Sequence, residues 1–213
     1  QCMQVTLNQP KFRGSSHHFM FFVSIIACAF LIFKSTNSTE TISTLVYSVG
    51  VLSMFGFSAL YHRTNTTIEI KQRLRKLDHS GIFLMIAGTF TPICLLALPF
   101  ESGIKLLIII WSVATIGIIQ AIFFSKIHRF LRASIYLAAG WVAFPFMPIL
   151  VASLSFIKLM LIIVGGVVYS LGATTYALRL PKLSPSVFGF HEFFHILVII
   201  AAILHFIVIY NLV

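Results

Sequence analysis

Long apolar stretches alternate with short polar connections along nearly the whole of this 213-residue chain. A transmembrane helix needs about 20 predominantly apolar residues to cross the hydrocarbon core of a bilayer. Seven stretches are long enough, at about residues 17–34, 41–62, 77–98, 103–125, 132–154, 157–178 and 189–212. The pattern therefore predicts an all-α membrane protein, a seven-transmembrane helix bundle, with residues 1–213 forming a single domain.

The composition excludes a soluble protein. Hydrophobic residues make up 59% of the chain and charged residues only 9%, whereas about 25% of the residues in a soluble domain are charged. The formal net charge of +10 would suggest a nucleic-acid partner if the protein were soluble. Here the basic residues lie between the apolar spans, as membrane topology requires, so we predict the lipid bilayer as partner and no nucleic acid.

The distribution of Lys and Arg predicts the orientation of the bundle. Twelve basic residues precede span one or follow spans two, four and six: Lys11, Arg13, Arg63, Lys71, Arg73, Arg75, Lys76, Lys126, Arg129, Arg132, Arg179 and Lys182. The opposite side has only Lys34, Lys105 and Lys158. Because positive residues stay on the cytoplasmic side, we expect a multi-pass plasma-membrane protein with a cytoplasmic N-terminus and an extracytoplasmic C-terminus.

The first residues and the cysteines add little chemistry. The start is polar and leads directly into span one, so no cleavable signal peptide is expected, and Met3 is the expected initiator. Cys2, Cys28 and Cys94 have no metal-ligand spacing, and we expect them to be free thiols in apolar surroundings.

Several local patterns predict the shape of the helices. Pro92 in span three and Pro145 with Pro148 in span five should bend those helices and open space in the bundle. Residues 64–78 form either a short basic helix at the membrane interface, capped by Thr66 or Thr67, or a solvated loop. A face of small residues in span six favours close helix packing. It consists of Gly165, Gly166, Ser170, Gly172 and Ala173.

The segment H-E-F-F-H at residues 191–195 opens the last span and carries two histidines at metal-ligand spacing. Residues four apart share one face of a helix, so one ion could contact both His191 and His195. The predicted topology brings His62, at the end of span two, to the same membrane level. Three imidazoles with one open position are typical of a catalytic zinc site. We therefore predict Zn2+ held by His62, His191 and His195.

Two further polar residues are expected beside this metal. Asp78 begins span three at the same level, where it could accept a hydrogen bond from a water at the metal, and Ser58 lies one turn from His62. We assign both to catalysis.

The other histidines are expected to have lesser roles. His17 and His18 are weak candidates for outer contacts, and His79 is a hydrogen-bonding neighbour. His205 lies about 15 Å further along its helix from His195, too far for the same ion. His128 belongs to a basic loop.

Four segments resemble the hemolysin III family, the bacterial branch of the progestin and adipoQ receptors, which is related to adiponectin receptors and alkaline ceramidases. They are SALYH at 58–62, KLDHSGIFLMIAGTFTP at 76–92, GGVVYSLGA at 165–173 and HEFFH at 191–195. The resemblance implies zinc on His62, His191 and His195, with Asp78 and Ser58 around the bound water. Many relatives carry an acidic residue and an Asn ahead of a His in span one, and this chain has KFRGSSHH at 11–18 instead. This difference argues against a role for span one in the site but does not affect the zinc ligands that the resemblance implies.

Several functions fit these residues. The first is a zinc-dependent hydrolase of a membrane lipid, acting on an amide bond as a ceramidase does. The alternative is a receptor-like regulator of membrane lipid or energy homeostasis, stabilised by zinc and without turnover. A cytolytic pore is less favoured, because the polar residues gather at one end of the spans. An intramembrane metalloprotease would use Glu192 as the alternative base. The substrate or ligand and the oligomeric state stay open.

Overall fold

Eight α-helices make up most of the computed structural model, which describes residue 10, residues 12–182 and residues 186–213. They are α1 (Ser15–Lys34), α2 (Ser38–Arg63), α3 (Ile68–Pro92), α4 (Phe100–Phe123), α5 (Arg129–Gly140), α6 (Met147–Ser153), α7 (Phe156–Leu178) and α8 (Phe190–Tyr210). Because α5 and α6 together make one crossing, seven helical segments in the described part of the chain are long and apolar enough to span a membrane. The predicted all-α, seven-crossing architecture is confirmed.

The connection between α2 and α3 is shorter than the sequence suggested. The side chain of Thr67 accepts a hydrogen bond from the backbone N–H of Ile70 at 3.5 Å, and α3 begins directly after it. Neither the separate interfacial helix nor the solvated loop expected at residues 64–78 is present. The reason is local, since no Gly or Pro interrupts residues 68–80 and most of them favour helix. The basic residues there therefore lie on the first turns of a membrane helix.

Both predicted bends are present. After Pro92 the helix loosens into a π-turn at Ile93–Ala97. The fifth crossing breaks after Gly140 and passes through a 3₁₀ turn at Phe144–Phe146 before α6 begins. Proline causes such breaks because it lacks an N–H and its ring crowds the preceding turn. At this break the indole N–H of Trp141 donates to the hydroxyl of Ser170 in α7 at 2.9 Å.

Helices α2 and α3 form the centre of the bundle, and their backbones approach closely. A Cβ on Gly50 would lie 2.6 Å from the carbonyl oxygen of Leu84, and one on Gly88 would lie 3.1 Å from that of Val46. Small residues permit such close approach, and in a membrane helices associate through van der Waals packing because lipid removes the hydrophobic effect between them. In contrast, α1 is peripheral. Its exposed residues include an apolar stripe that faces lipid, formed by Phe19, Phe22, Ile26, Phe30 and Phe33.

The small-residue face of α7 packs against α8 as predicted. Gly165 lies under the ring of His205, and Gly172 lies against Phe194. At the far end of α8, the amines of Lys34 and Lys158 donate to the carbonyls of Tyr210 and Asn211 at 2.6 and 2.7 Å. We call this end of the bundle the far end. The opposite end, where α2 ends and α8 begins, is called the basic end.

Candidate metal centre

Three histidines converge at the basic end of the bundle. His62 lies in the last turn of α2, and His191 and His195 lie on one face at the start of α8. One ligand nitrogen from each lies within 4.8 Å of the other two. The two Nε2 atoms of His62 and His191 are 3.1 Å apart. The structure therefore brings together the three residues that the sequence singled out.

The spacing of these nitrogens is compatible with a bound metal ion such as zinc. Two nitrogens bound at about 2.0–2.1 Å to a tetrahedral zinc lie about 3.4 Å apart, close to the separation of His62 and His191. A hydrogen bond between those two rings would not involve the third histidine, His195. His195 is 2% exposed, and its Nδ1 has no hydrogen-bond partner among the described residues. Three imidazoles with no carboxylate among them form a ligand set suited to zinc.

Asp78 and Ser58 come from α3 and α2, respectively, at the basic end of the bundle. Ser58 is buried one turn before His62. Both line the same cavity as the three histidines. Asp78 is not part of the histidine group, so it is a candidate for a role other than metal ligation.

Glu192 has a different environment from its neighbours His191 and His195. One carboxylate oxygen accepts the backbone N–H of Gly189 at 2.7 Å and thereby caps α8. The other lies 3.1 Å from Nε of Arg13, an ion pair by distance although not aligned as a hydrogen bond. Glu192 is 2% exposed and does not line the cavity. Its geometry is that of a helix cap.

The start of α1 contacts the site directly, although the sequence made His17 only a weak candidate for an outer contact. Gly14 has a φ of 72°, and a Cβ there would lie 2.4 Å from Cβ of His62. The ring of His17 stacks on that of His195 with centroids 3.8 Å apart and planes 10° from parallel. The signal available was a glycine and a histidine just inside the membrane at the level of the ligands. Their contacts with His62 and His195 become visible only when α1 is packed against α2 and α8.

The remaining histidines divide by burial. His79 is buried and lines the cavity next to Asp78. His205 is buried deeper and lies 3.2 Å from the carbonyl oxygen of Ile162, outside the histidine cluster as predicted. His18 and His128 are exposed.

A cavity of about 520 Å³ leads away from the histidines between α3, α5, α7 and α8. Ligand sites typically have volumes of about 300–1,000 Å³. Beyond the polar residues of the basic end, its wall is largely apolar and includes Met85, Leu150, Ile162 and Val198. The cavity therefore offers a polar end beside the histidines and an apolar interior of a size that suits a lipid chain.

These features define a multi-pass membrane protein whose helices present a three-histidine cluster at one end of an apolar cavity. The family model described as "Haemolysin-III related" matches residues 5–206. The chain belongs to this family, as the resemblance implied, and it is a protein of the cell membrane.

Named relatives extend this comparison. The chain is 34% identical over 174 residues to "Hemolysin-3 homolog" of Bacillus subtilis (strain 168), covering 80% of this chain and 81% of that protein. It is 36% identical over 142 residues to "Hemolysin-3" of Bacillus cereus, covering 66% and 64%. It is also 31% identical over 189 residues to "Adiponectin receptor protein" of Drosophila melanogaster, covering 80% of this chain and 42% of the receptor. The family thus joins bacterial hemolysin-3 proteins to an animal receptor.

Proposed function

We propose that this protein is a zinc-dependent hydrolase that cleaves an amide bond in a membrane lipid. One observation supports the proposal: the three histidines lie together in the wall of a cavity of lipid size, and Asp78 and Ser58 are part of the same wall. Ionisable groups within the membrane are costly, and their gathering at one site is a functional signal.

In this proposal the metal, Asp78 and Ser58 have different roles in amide hydrolysis. Zinc held by His62, His191 and His195 supplies a Lewis acid that polarises a carbonyl and acidifies water. Asp78 takes the proton of the attacking water and returns it to the leaving nitrogen. Ser58 donates its hydroxyl hydrogen bond to the developing oxyanion. The apolar wall holds the acyl chain so that its carbonyl rests beside Asp78.

The basic end is proposed to face the cytoplasm. The imbalance of twelve basic residues against three supports this orientation. Single cysteines introduced at Lys126 and at Lys105, in a background without native cysteines, test it in intact cells. A membrane-impermeant maleimide should label the cysteine at position 105 and leave that at position 126 unlabelled until the cells are opened. The reverse pattern refutes the orientation.

The hydrolase is tested with purified protein on a panel of lipid amides and esters. We expect metal analysis to find one zinc per chain, and hydrolysis to be lost in His191→Ala together with the zinc. Asp78→Asn should lose hydrolysis while keeping zinc, and His128→Ala, an exposed histidine at the same end, should behave as the parent. A zinc-loaded parent that hydrolyses no lipid on the panel would refute the proposal.

A second candidate is a receptor-like regulator in which zinc stabilises the bundle and no turnover occurs. The name of the Drosophila relative favours it. It predicts the same zinc content and the same loss of stability in His191→Ala, but no hydrolysis by the parent. Asp78→Asn would then leave the cellular effect on membrane lipids unchanged, whereas the hydrolase requires that effect to disappear.

A further inference from the structure

Six basic side chains line the polar end of the cavity. They are Arg13, Lys71, Arg75, Arg129, Arg132 and Arg179. Asp78 is the only acidic residue in the wall, and the Arg13–Glu192 contact is the only ion pair among the described residues. The cavity wall therefore has a large excess of positive charge.

Some of these cations have structural partners. The amine of Lys71 donates to the carbonyl oxygens of Tyr61 and Thr64 at the end of α2. The guanidinium of Arg132 donates to the carbonyls of Ser125 and Ile127 at 2.9 and 3.3 Å. These contacts satisfy backbone carbonyls at the end of α2 and in the loop before α5, and they account for two of the six cations.

Arg75 and Arg129 differ from them. In each, the Nε atom is buried and has no hydrogen-bond acceptor among the described residues. A buried donor without an acceptor is destabilising, and for a charged group more so. The guanidinium of Arg129 also packs over the ring of Phe130, 5.2 Å from its centroid, which restrains it. Two oriented guanidinium groups thus lack an anion.

The helical register places Arg75 one turn before Asp78 on α3, and Arg129 at the first turn of α5, at the same end of the bundle. Arg75, Asp78, His79 and Ile82 line the cavity at the spacing of one helix face. Arg129, Arg132, Ala133 and Tyr136 do the same on α5. Three residues of helix rise about 4.5 Å, so the guanidinium of Arg75 stands about one turn from Asp78 towards the membrane surface. That is the position of a headgroup whose acyl chain enters the apolar cavity.

We propose that Arg75 and Arg129 bind the phosphate of an anionic membrane lipid, which makes a phosphate-bearing lipid the substrate class of this site. The assignment rests on the hydrolase proposed above. The planar fork of arginine matches phosphate oxygens better than a lysine ammonium does. The general enrichment of basic residues on the cytoplasmic side does not account for arginines whose Nε atoms are buried in a cavity wall.

The test is equilibrium binding of dioleoyl phosphatidic acid and of dioleoylglycerol to the purified full-length protein in dodecyl maltoside. The two lipids share their acyl chains and differ in the phosphate. The parent should bind the phosphatidic acid at least about tenfold more tightly. Arg75→Gln with Arg129→Gln should lose about tenfold or more of that affinity, because it removes two charge-assisted contacts.

The matched control is Arg73→Gln with Lys126→Gln, which removes the same charge at the same end from exposed positions outside the cavity wall. Its affinity should stay within about twofold of the parent, since exposed charges contribute little. Equal losses in the two double variants, or no preference of the parent for phosphatidic acid, overturn the proposal. Binding of inorganic phosphate as tight as that of phosphatidic acid also overturns it, because the anion would then need no lipid.

Two further measurements keep the outcomes separate. If the Arg75 and Arg129 double variant is not folded by circular dichroism, the single variants replace it, and unchanged affinity in both overturns the proposal. Binding is also measured in His191→Ala and in the chelator-treated parent, where the preference for phosphate should persist. Persisting preference without hydrolysis in the zinc-loaded parent contradicts the hydrolase alone, whereas lost preference with intact hydrolysis contradicts the headgroup site alone.

Discussion

At the scale of single residues, the histidine cluster depends on a neighbour that has no side chain. Gly14 adopts a left-handed backbone conformation and lies against His62, so that α1 begins in contact with a member of the histidine cluster. The conformation and the close approach both exclude other residues. Gly14 therefore supports the position of His62 from outside the ligand set.

Gly14→Ala should displace His62 and weaken zinc binding. The new Cβ would meet Cβ of His62 at 2.4 Å and would occupy a φ of 72°, so we expect a loss of about 2–4 kcal/mol in unfolding free energy. Zinc affinity is measured by competition with a chromophoric chelator, and stability by thermal melting in detergent. Unchanged zinc affinity would show that the contact with α1 does not position His62.

The two kinds of polar residue at the site should respond differently to alanine. His62→Ala removes one of three ligands and should abolish zinc binding in the purified protein. Asp78→Ala should retain more zinc, because Asp78 is not one of the three members of the cluster. Metal analysis of both variants after identical dialysis decides the matter. Equal loss of zinc in both would make Asp78 a direct ligand and would refute its role as the base.

At the scale of helices, the central pair α2 and α3 is held by contact between backbones. Gly50→Ala should separate the pair, since its Cβ would lie 2.6 Å from a backbone oxygen that cannot move aside easily. We expect a loss of about 1–3 kcal/mol. Gly140→Ala is the control, because a Cβ there meets nothing within 4 Å, and its stability should change by less than about 0.5 kcal/mol. Equal melting temperatures would contradict this packing.

Helix α8 begins with a cap that the metalloprotease hypothesis treats as a catalytic base. Glu192→Gln keeps the acceptor for Gly189 and removes the charge facing Arg13. We expect stability to fall by about 1–3 kcal/mol, moderated by the partial exposure of Arg13. Zinc content and lipid hydrolysis should remain. Arg13→Gln should lower the melting temperature similarly, whereas a base would show lost turnover at unchanged stability.

At the scale of the whole molecule, a metal at the histidine cluster would link two pairs of helices. Helix α8 packs chiefly against α7, and α2 packs chiefly against α3. An ion held by His62, His191 and His195 spans the gap between these pairs at the basic end. The cluster would therefore contribute to stability as well as to chemistry.

Removing zinc with a chelator should lower the melting temperature of the parent. Zinc at about 100-fold its dissociation constant stabilises the folded state by about 3 kcal/mol. Zinc should restore the loss and magnesium should not, because imidazole ligands suit zinc. Zinc should also dissociate as the pH falls through about 6.5 to 5, since histidines must be neutral to bind it. A melting temperature insensitive to the chelator would contradict a metal link.

Much of this architecture could be predicted because local patterns specify it. The length of each apolar stretch determines the number of crossings, and proline positions determine the breaks in the third and fifth of them. The histidine cluster was predictable as well, since His62, His191 and His195 end or begin helices at one membrane level. The segment at residues 64–78 was the exception. Its basic residues suggested an interface, but its helix-forming residues continue into the next crossing.

What the amino-acid order alone determined is the set of helices, the end at which each polar residue lies and the three histidines that meet. These properties depend on spacing along one chain and on the thickness of a bilayer. Only the tertiary structure decided the contacts of Gly14 with His62, of His17 with His195 and of Arg13 with Glu192. Their partners lie on other helices, and the rotation of each helix about its axis depends on packing that no local pattern records.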